Sequence, residues 1–320
     1  MPDRCSTITA ALTWACARLS AAGCATPMLD AEVLLAHTLQ QNRAWLRAHP
    51  EQHLTDSQIE DFVTLVLRRC TYEPVAYLVG HKEFFGLDFT VTSAALVPRP
   101  ETELLVEIAL GHIADKGKAL WVADVGTGSG VLAITLAVHL PYAKVLATDI
   151  SAQALLLAQD NARRHGVGER ILFIQADLLP PVSISFDLVL ANPPYLRSDE
   201  LPPNSRAINK IDGLQGWHRA PACQGKRGGF SPKEAWEATL PLAWEPQIAL
   251  NGGSDGLHVI RRLLTIMPPR LRPGGLFVME LGAAQAHPVL QIARKLFPRA
   301  DISIRRDYAE LERALVLIAP

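Results

Sequence analysis

The sequence predicts a doubly wound α/β sheet preceded by a small helical domain. Three observations carry that expectation. From Leu120 onward, short apolar runs alternate with helical patterns, the arrangement that builds a mostly parallel sheet with helices on both faces. Before about residue 75, apolar residues recur at helical steps. Between Leu120 and Leu140, a strand meets a helix across the turn Asp124-Val-Gly126-Thr-Gly128-Ser-Gly130. The expected division is residues 1–78 for the helical domain, 79–98 for a linking β-hairpin and 99–320 for the α/β domain.

In the helical part, Ile8 to Ala22 is alanine-rich and amphipathic, and Leu29, Val33, Leu34 and His37 form a second stripe. Thr55 or Asp56 caps a third helix, whose face is Ile59, Phe62, Val63, Val66, Leu67 and Cys70. Pro74 ends it. Glu83-Phe-Phe-Gly86-Leu-Asp-Phe-Thr-Val91 places two short aromatic and β-branched runs on either side of a glycine, a hairpin pattern. Pro100, with Glu101 and Glu103, suits the start of a helix continued by Leu104, Leu105 and Ile108.

The α/β part reads as strands at Leu120–Val125, Lys144–Thr148, Ile171–Ile174 and Leu188–Ala191, then Leu276–Glu280, with Ile302–Ile304 and Ala314–Ile318 closing the sheet. Helices fall at Val131–Leu140, from Ser151 to about His165, at Leu257–Met267 and at Gln285–Phe297. The interval 204–235 is basic, Gly-rich and aperiodic, and is expected to be a mobile insertion, the alternative being a basic flap that touches RNA or an acidic partner.

The 320 residues carry a net charge of −1, with 49% apolar and 20% charged residues. That is an ordinary globular composition and makes no global electrostatic case for a nucleic-acid or membrane partner. Five cysteines, with no C-x-x-C pair and no histidine cluster, read as reduced thiols of a cytoplasmic protein, with no metal site. No signal peptide is evident.

The chemistry concentrates at strand ends. Leu188 to Ala191 is apolar without alternation, as in a strand covered on both faces, and runs into Asn192-Pro193-Pro194-Tyr195. By itself this could be a strand followed by a proline-rich turn. At the carboxyl end of a strand, however, an α/β sheet places its ligands. The Asn192 side-chain oxygen and the Pro193 carbonyl are two acceptors for the hydrogens of a planar NH2 group, and Tyr195 can pack on its face. In the loop Gly126, Thr127, Gly128, Ser129, Gly130, the glycine spacing fits a dinucleotide fingerprint poorly. Asp149 could accept the hydrogen bonds of a ribose diol, and Asp177 or its neighbour Leu178 would flank an adenine. Read without a ligand, both acids are strand-end turn or cap residues.

Together, Asp124–Gly130 and Asn192–Tyr195 resemble an S-adenosylmethionine-dependent amino-methyltransferase. More narrowly, the chain resembles the protein-(glutamine-N5) methyltransferases that modify peptide chain release factors, the PrmC/HemK family. The resemblance covers nearly the whole chain and includes Glu73-Pro74, Gly80–Phe84, Val97–Glu103, Glu245-Pro246 and Gly252–Gly256. It implies a Rossmann-like class I methyltransferase fold with a substrate-docking helical domain. The implied cofactor is S-adenosylmethionine, held by Gly126 to Gly130, Asp149, Asp177, Leu178 and Asn192. The implied acceptor is the glutamine of the Gly-Gly-Gln loop of class 1 release factors. Asn192, Pro193 and Tyr195 would be catalytic, and Asn192 to Tyr195, Pro194 included, would line the glutamine pocket. A ribosomal-protein glutamine methyltransferase or a DNA/RNA amino-methyltransferase would share parts of this site. Two features depart from the family: the long interval between Tyr195 and Glu245, and Leu178 where some members carry tryptophan.

Overall fold

The computed structural model describes residues 6–181, 183–202 and 240–320; the expected insertion at 204–235 lies outside them. The chain divides into two compact units, Met1–Gly80 with Pro202–Trp244, and His81–Leu201 with Glu245–Pro320.

The first unit contains the helices α1 (Ile8–Ala21), α2 (Pro27–Leu39), α3 (Arg43–Ala48), α4 (Asp56–Arg69) and α5 (Val75–Val79). Thr55 caps α4 in a reciprocal capping box with Gln58. Ile8, Leu19, Leu34, Leu35, Leu46 and Phe62 form its core. Beside that core, the buried Arg69 guanidinium meets Asp30 at 2.7 Å and also donates to the Glu73 carbonyl. The short helices α3 and α5 were not legible, because a helix of five or six residues shows too little periodicity to register. Pro74 caps the start of α5, and α4 has already ended at Arg69.

The second unit opens with the hairpin β1 (His81–Phe84) and β2 (Leu87–Thr90). Its two-residue turn, Phe85-Gly86, takes positive φ at both positions. Glu103 accepts from the Phe85 N–H and so braces the strained residue. A 3₁₀ turn at Pro100–Thr102 leads into α6 (Glu103–His112). There follow β3 (Trp121–Val125), α7 (Val131–His139), β4 (Lys144–Asp149), α8 (Ala152–Arg164), β5 (Ile171–Gln175), β6 (Phe186–Ala191), α9 (His258–Ile266), β7 (Leu271–Glu280), α10 (Ala286–Leu296), β8 (Asp301–Arg306) and β9 (Glu312–Ile318).

Among the described residues the sheet has the order β5-β4-β3-β6-β7-β9-β8, with β9 antiparallel to both of its neighbours and the other pairings parallel. Along β6, Leu188 and Leu190 enter the core shared with α6, α7 and the hairpin, whereas Val189 and Ala191 enter the core shared with α9 and α10. Both faces are covered, which is why this strand reads as unbroken apolar sequence. The chain order reverses at β3, whose neighbours are β4 and β6. Such a switch point opens a crevice at the carboxyl ends of the strands.

Candidate active site

A cavity of ≈ 410 Å³ lies at that switch point, within the range of about 300–1,000 Å³ usual for small-molecule sites. The end of β3 supplies Gly126 to Ser129, the end of β4 supplies Asp149, the end of β5 supplies Asp177 and Leu178, and the end of β6 supplies Asn192 to Pro194. Val97, Pro98, Arg99 and Thr102 close one side, and Gln247 and Ile248 another.

The glycine loop is held from behind. The N–H groups of Gly126 and Thr127 both donate to the Thr148 carbonyl, and that of Gly128 donates to Asp149 at 2.9 Å. A loop that cradles phosphate aims such groups at its ligand. Here three of them are spent on β4, so the loop offers close approach without a phosphate nest. A Cβ built on Gly126 meets nothing within 4 Å, so a side chain there would project into free space. Gly130 does not line the cavity. Its Cβ would strike Ile134 at 2.7 Å and Ala158 at 3.1 Å, so it serves the packing of α7 on α8.

Asp124 sits behind the loop, fully buried. Its Oδ2 accepts from the Thr127 hydroxyl at 2.7 Å and the Ala133 N–H at 3.0 Å, while Oδ1 has no partner among the described residues. Burial pushes its pKa up to about 7, against the opposing effect of those two hydrogen bonds. Asp149 accepts from Gly128 through Oδ2 and from Ser151 through Oδ1. Two N–H donors fix the carboxylate, and each oxygen keeps a second acceptor position for a ligand. Asp177 is paired with Arg262 at 2.7 Å, and Leu178 takes φ 63°, a left-handed conformation unusual for leucine. Asn161, fully buried, ties the loop to the hairpin: its amide donates to the Ser129 and Thr90 carbonyls and its oxygen accepts from the Thr90 N–H.

At the opposite wall, the Asn192 amide nitrogen donates to the Thr102 hydroxyl at 3.2 Å. Thr102 donates to Glu280 Oε2 at 2.6 Å, and the Tyr195 hydroxyl donates to Glu280 Oε1 at 3.3 Å. Burial raises the Glu280 carboxyl and the Tyr195 phenol above their ordinary ranges; the phenol is also raised by the neighbouring carboxylate. Tyr195 is not on the cavity wall. Its ring packs into the core beside α9 and α10, which differs from the expected role as a face for a substrate amide. No hydrogen bond ends on Asn192 Oδ1 or on the Pro193 carbonyl among the described residues.

The tetrapeptide backbone is clamped from below. Leu196 exchanges hydrogen bonds with Leu250 and Gly252, and Gln285 donates to the carbonyls of Tyr195 and Gly256. A Cβ on Gly252 would lie 2.8 Å from the Pro194 carbonyl oxygen, and one on Gly256 2.5 Å from that of Tyr195. Only glycine permits this approach. Arg99, in the turn that carries Thr102, pairs with the buried Glu245 at 2.5 Å, and Glu245 also accepts from the Val97 N–H.

Residues 10–80 match the PrmC N-terminal domain family, and residues 101–205 match the methyltransferase small domain family. The chain is 37% identical over 97% of its length to the release factor glutamine methyltransferase of Moorella thermoacetica, covering 98% of that protein. It is 40% identical to the one from Xylella fastidiosa strain 9a5c over 79% of this chain and 80% of that protein. The chain belongs to the release factor glutamine methyltransferase family. The catalytic domain of hMettl16, solved in complex with MAT2A 3'UTR hairpin 1, superposes with a TM-score of 0.50 at 16% identity, covering 86% of this chain and 87% of that one. That likeness extends to the fold alone. Membership makes the chain a methyltransferase, and its cavity lies at the carboxyl ends of the strands, where open α/β sheets bind ligands. Among the described residues, no helix is long and apolar enough to cross a membrane.

Within this family, the residues that sequence reasoning passed over are Arg99, Thr102, Glu245 and Glu280. Arg99, Thr102 and Glu245 lie in the family-like segments Val97–Glu103 and Glu245-Pro246, and the signal for Glu280 is its place as an acid at the carboxyl end of a strand.

Proposed function

We propose that this chain transfers the methyl group of S-adenosylmethionine to the side-chain amide nitrogen of a glutamine in class 1 release factors, at the Gly-Gly-Gln loop. The observation that carries the reading is the pair of unspent acceptors, Asn192 Oδ1 and the Pro193 carbonyl, on a wall of the same cavity as the glycine loop and Asp149. The relatives from Moorella thermoacetica and Xylella fastidiosa both carry the release-factor name, which favours a release factor over a ribosomal protein as acceptor.

The cavity fits the methyl donor. A nucleoside without phosphates suits a loop whose N–H groups are turned away. The two free acceptor positions of Asp149 suit a ribose diol, and Asp177 with Leu178 would border the base. When bound, S-adenosylmethionine supplies a strongly electrophilic methyl on a sulfonium. An amide nitrogen is a poor nucleophile because its lone pair is delocalised into the carbonyl. The protein's task is therefore placement: two fixed acceptors hold both amide hydrogens and orient the nitrogen. As positive charge develops on that nitrogen, the same acceptors stabilise it. No side chain is needed as a strong base, since a protonated methylated amide is acidic.

The helical unit, whose described residues supply none of the site groups above, we read as the docking module for the release factor. Removal of residues 1–80 should leave donor binding intact and lower methyl transfer; full transfer by the shortened chain would overturn the docking role. The reaction itself is tested by mass spectrometry of purified class 1 release factors after incubation with the protein and isotopically labelled S-adenosylmethionine. A labelled methyl on the glutamine is expected, and label on another residue or none would overturn the reading.

A further inference from the structure

The Asn192 carboxamide has two chemically opposite ends, and only its oxygen can accept from a substrate N–H. Which end faces the cavity is fixed by its partners. Thr102 and Glu280 are those partners, 90 and 178 positions apart along the chain in successive links. A threonine hydroxyl carries one hydrogen, and both oxygens of Glu280 act as acceptors, Oε2 2.6 Å from the Thr102 hydroxyl and Oε1 3.3 Å from the Tyr195 hydroxyl. The Thr102 hydrogen therefore goes to Glu280. Whatever meets the Thr102 oxygen from the other side must donate, so Asn192 presents its NH2 there and Oδ1 is left for the cavity.

We infer that Thr102 and Glu280 are positioning residues that set the orientation of the Asn192 carboxamide and so make the site an acceptor for an NH2-bearing substrate. This rests on the reading of Asn192 as the residue that receives the acceptor amide. Tyr195 supports the relay by donating to the second oxygen of Glu280, so both carboxylate oxygens are engaged as acceptors. Burial and, to a lesser degree, Glu101 oppose the ionised form of Glu280, while the Thr102 and Tyr195 hydroxyls and Arg313 favour it. If Glu280 became neutral and donated to Thr102, the hydroxyl could turn to donate to Asn192. The carboxamide would then flip and aim its NH2 at the cavity, where two donors would face each other.

The relay is tested with Thr102→Val, Thr102→Ser, Asn192→Ala and the Thr102→Val/Asn192→Ala pair. The readouts are kcat for methyl transfer to a purified class 1 release factor and calorimetric affinity for S-adenosylhomocysteine. Thr102→Val should lower kcat by about 10- to 100-fold, as expected for one lost polar contact that leaves its partners unpaired. Affinity for S-adenosylhomocysteine should stay within about twofold, since the contact belongs to the other wall. Thr102→Ser, which keeps the hydroxyl, should recover most of the loss. Because Thr102 acts through Asn192, the double variant should be no slower than Asn192→Ala by more than about threefold. Wild-type kcat in Thr102→Val, no recovery in Thr102→Ser, or multiplied losses in the double variant would each overturn the relay. If Thr102→Val does not fold, Glu280→Gln, whose amide can donate to Thr102, replaces it in the same cycle with the same deciding outcomes. Full activity of Asn192→Ala would instead overturn the reading of the cavity itself. A loss in Asn192→Ala without coupling to Thr102 would overturn the relay alone.

Discussion

On the glycine-loop side of the cavity, the Gly128 N–H reaches Asp149 across 21 positions, and neighbouring N–H groups close on Thr148. On the Asn192 side, the links span 90, 178 and 85 positions and join three separate segments. The first wall is the product of one strand–loop–helix–strand passage. The second exists only once β6, β7 and the turn before α6 have been brought together. A wall built locally should lose function chiefly through its own residues. A wall assembled from afar should also lose it through residues that never touch a substrate.

The largest effect expected is on the assembled wall. Asn192→Ala removes one of two acceptors and should lower turnover by about 10²–10³-fold, roughly 2.7–4 kcal/mol of transition-state stabilisation. Calorimetric affinity for S-adenosylmethionine should change much less. Equal losses in both quantities would erase the distinction between the walls.

Next comes the Arg99–Glu245 pair, which anchors the turn carrying Thr102. Arg99→Ala strands a carboxylate whose side chain is 1% exposed. Breaking a buried pair typically costs about 3–5 kcal/mol; a value near 3 is expected because Arg99 keeps part of its side chain in water. Urea unfolding measures it, and an unchanged midpoint would show that the turn is held by other contacts.

On the local wall, Asp149→Ala removes both the brace on Gly128 and the acceptors offered to a ribose. Donor affinity should fall by about 1.5–3 kcal/mol, the usual worth of hydrogen bonds to a charged group. Turnover at saturating donor should stay close to wild type. Unchanged affinity by calorimetry would remove the donor from this wall.

The most diagnostic change is Asp124→Asn, whose effect per pH unit is small. The Asp124 carboxyl titrates at about 7 in the fold and at 3.8 when unperturbed. Below pH 3.8 both states hold the proton; between there and pH 7 only the folded state does. Stability therefore falls as pH rises through that window, by at most about 1.4 kcal/mol per pH unit from this group, and levels off above it. Glu245 and Glu280, also raised by burial, contribute with the same sign. The difference between wild type and Asp124→Asn, followed by urea unfolding from pH 5 to 8, isolates the one group. Identical slopes would mean that Asp124 is ionised throughout.

The sequence by itself determined the longer elements and several other features governed by near neighbours. The unbroken apolar run of β6, the glycine turn after β3, Asp149 at the end of β4 and the caps Thr55 and Ser151 follow from side-chain period, φ freedom and short-range hydrogen bonding. These rules act over a few residues and need no partner from elsewhere. Because strands alternated with helices, the same rules also brought Asn192 and the glycine loop to one edge of the sheet. Tertiary structure alone decided what each of those residues faces. It turned Tyr195 into the core and onto Glu280 and gave Gly130 to the packing of α8. It spent the loop's N–H groups on β4 and pressed Gly252 and Gly256 against the Pro194 and Tyr195 carbonyls. It also aligned Thr102 between Asn192 and Glu280. A hydrogen bond depends on distances of about 3 Å and on direction, and no local rule fixes these between residues 178 positions apart; the order of the strands does.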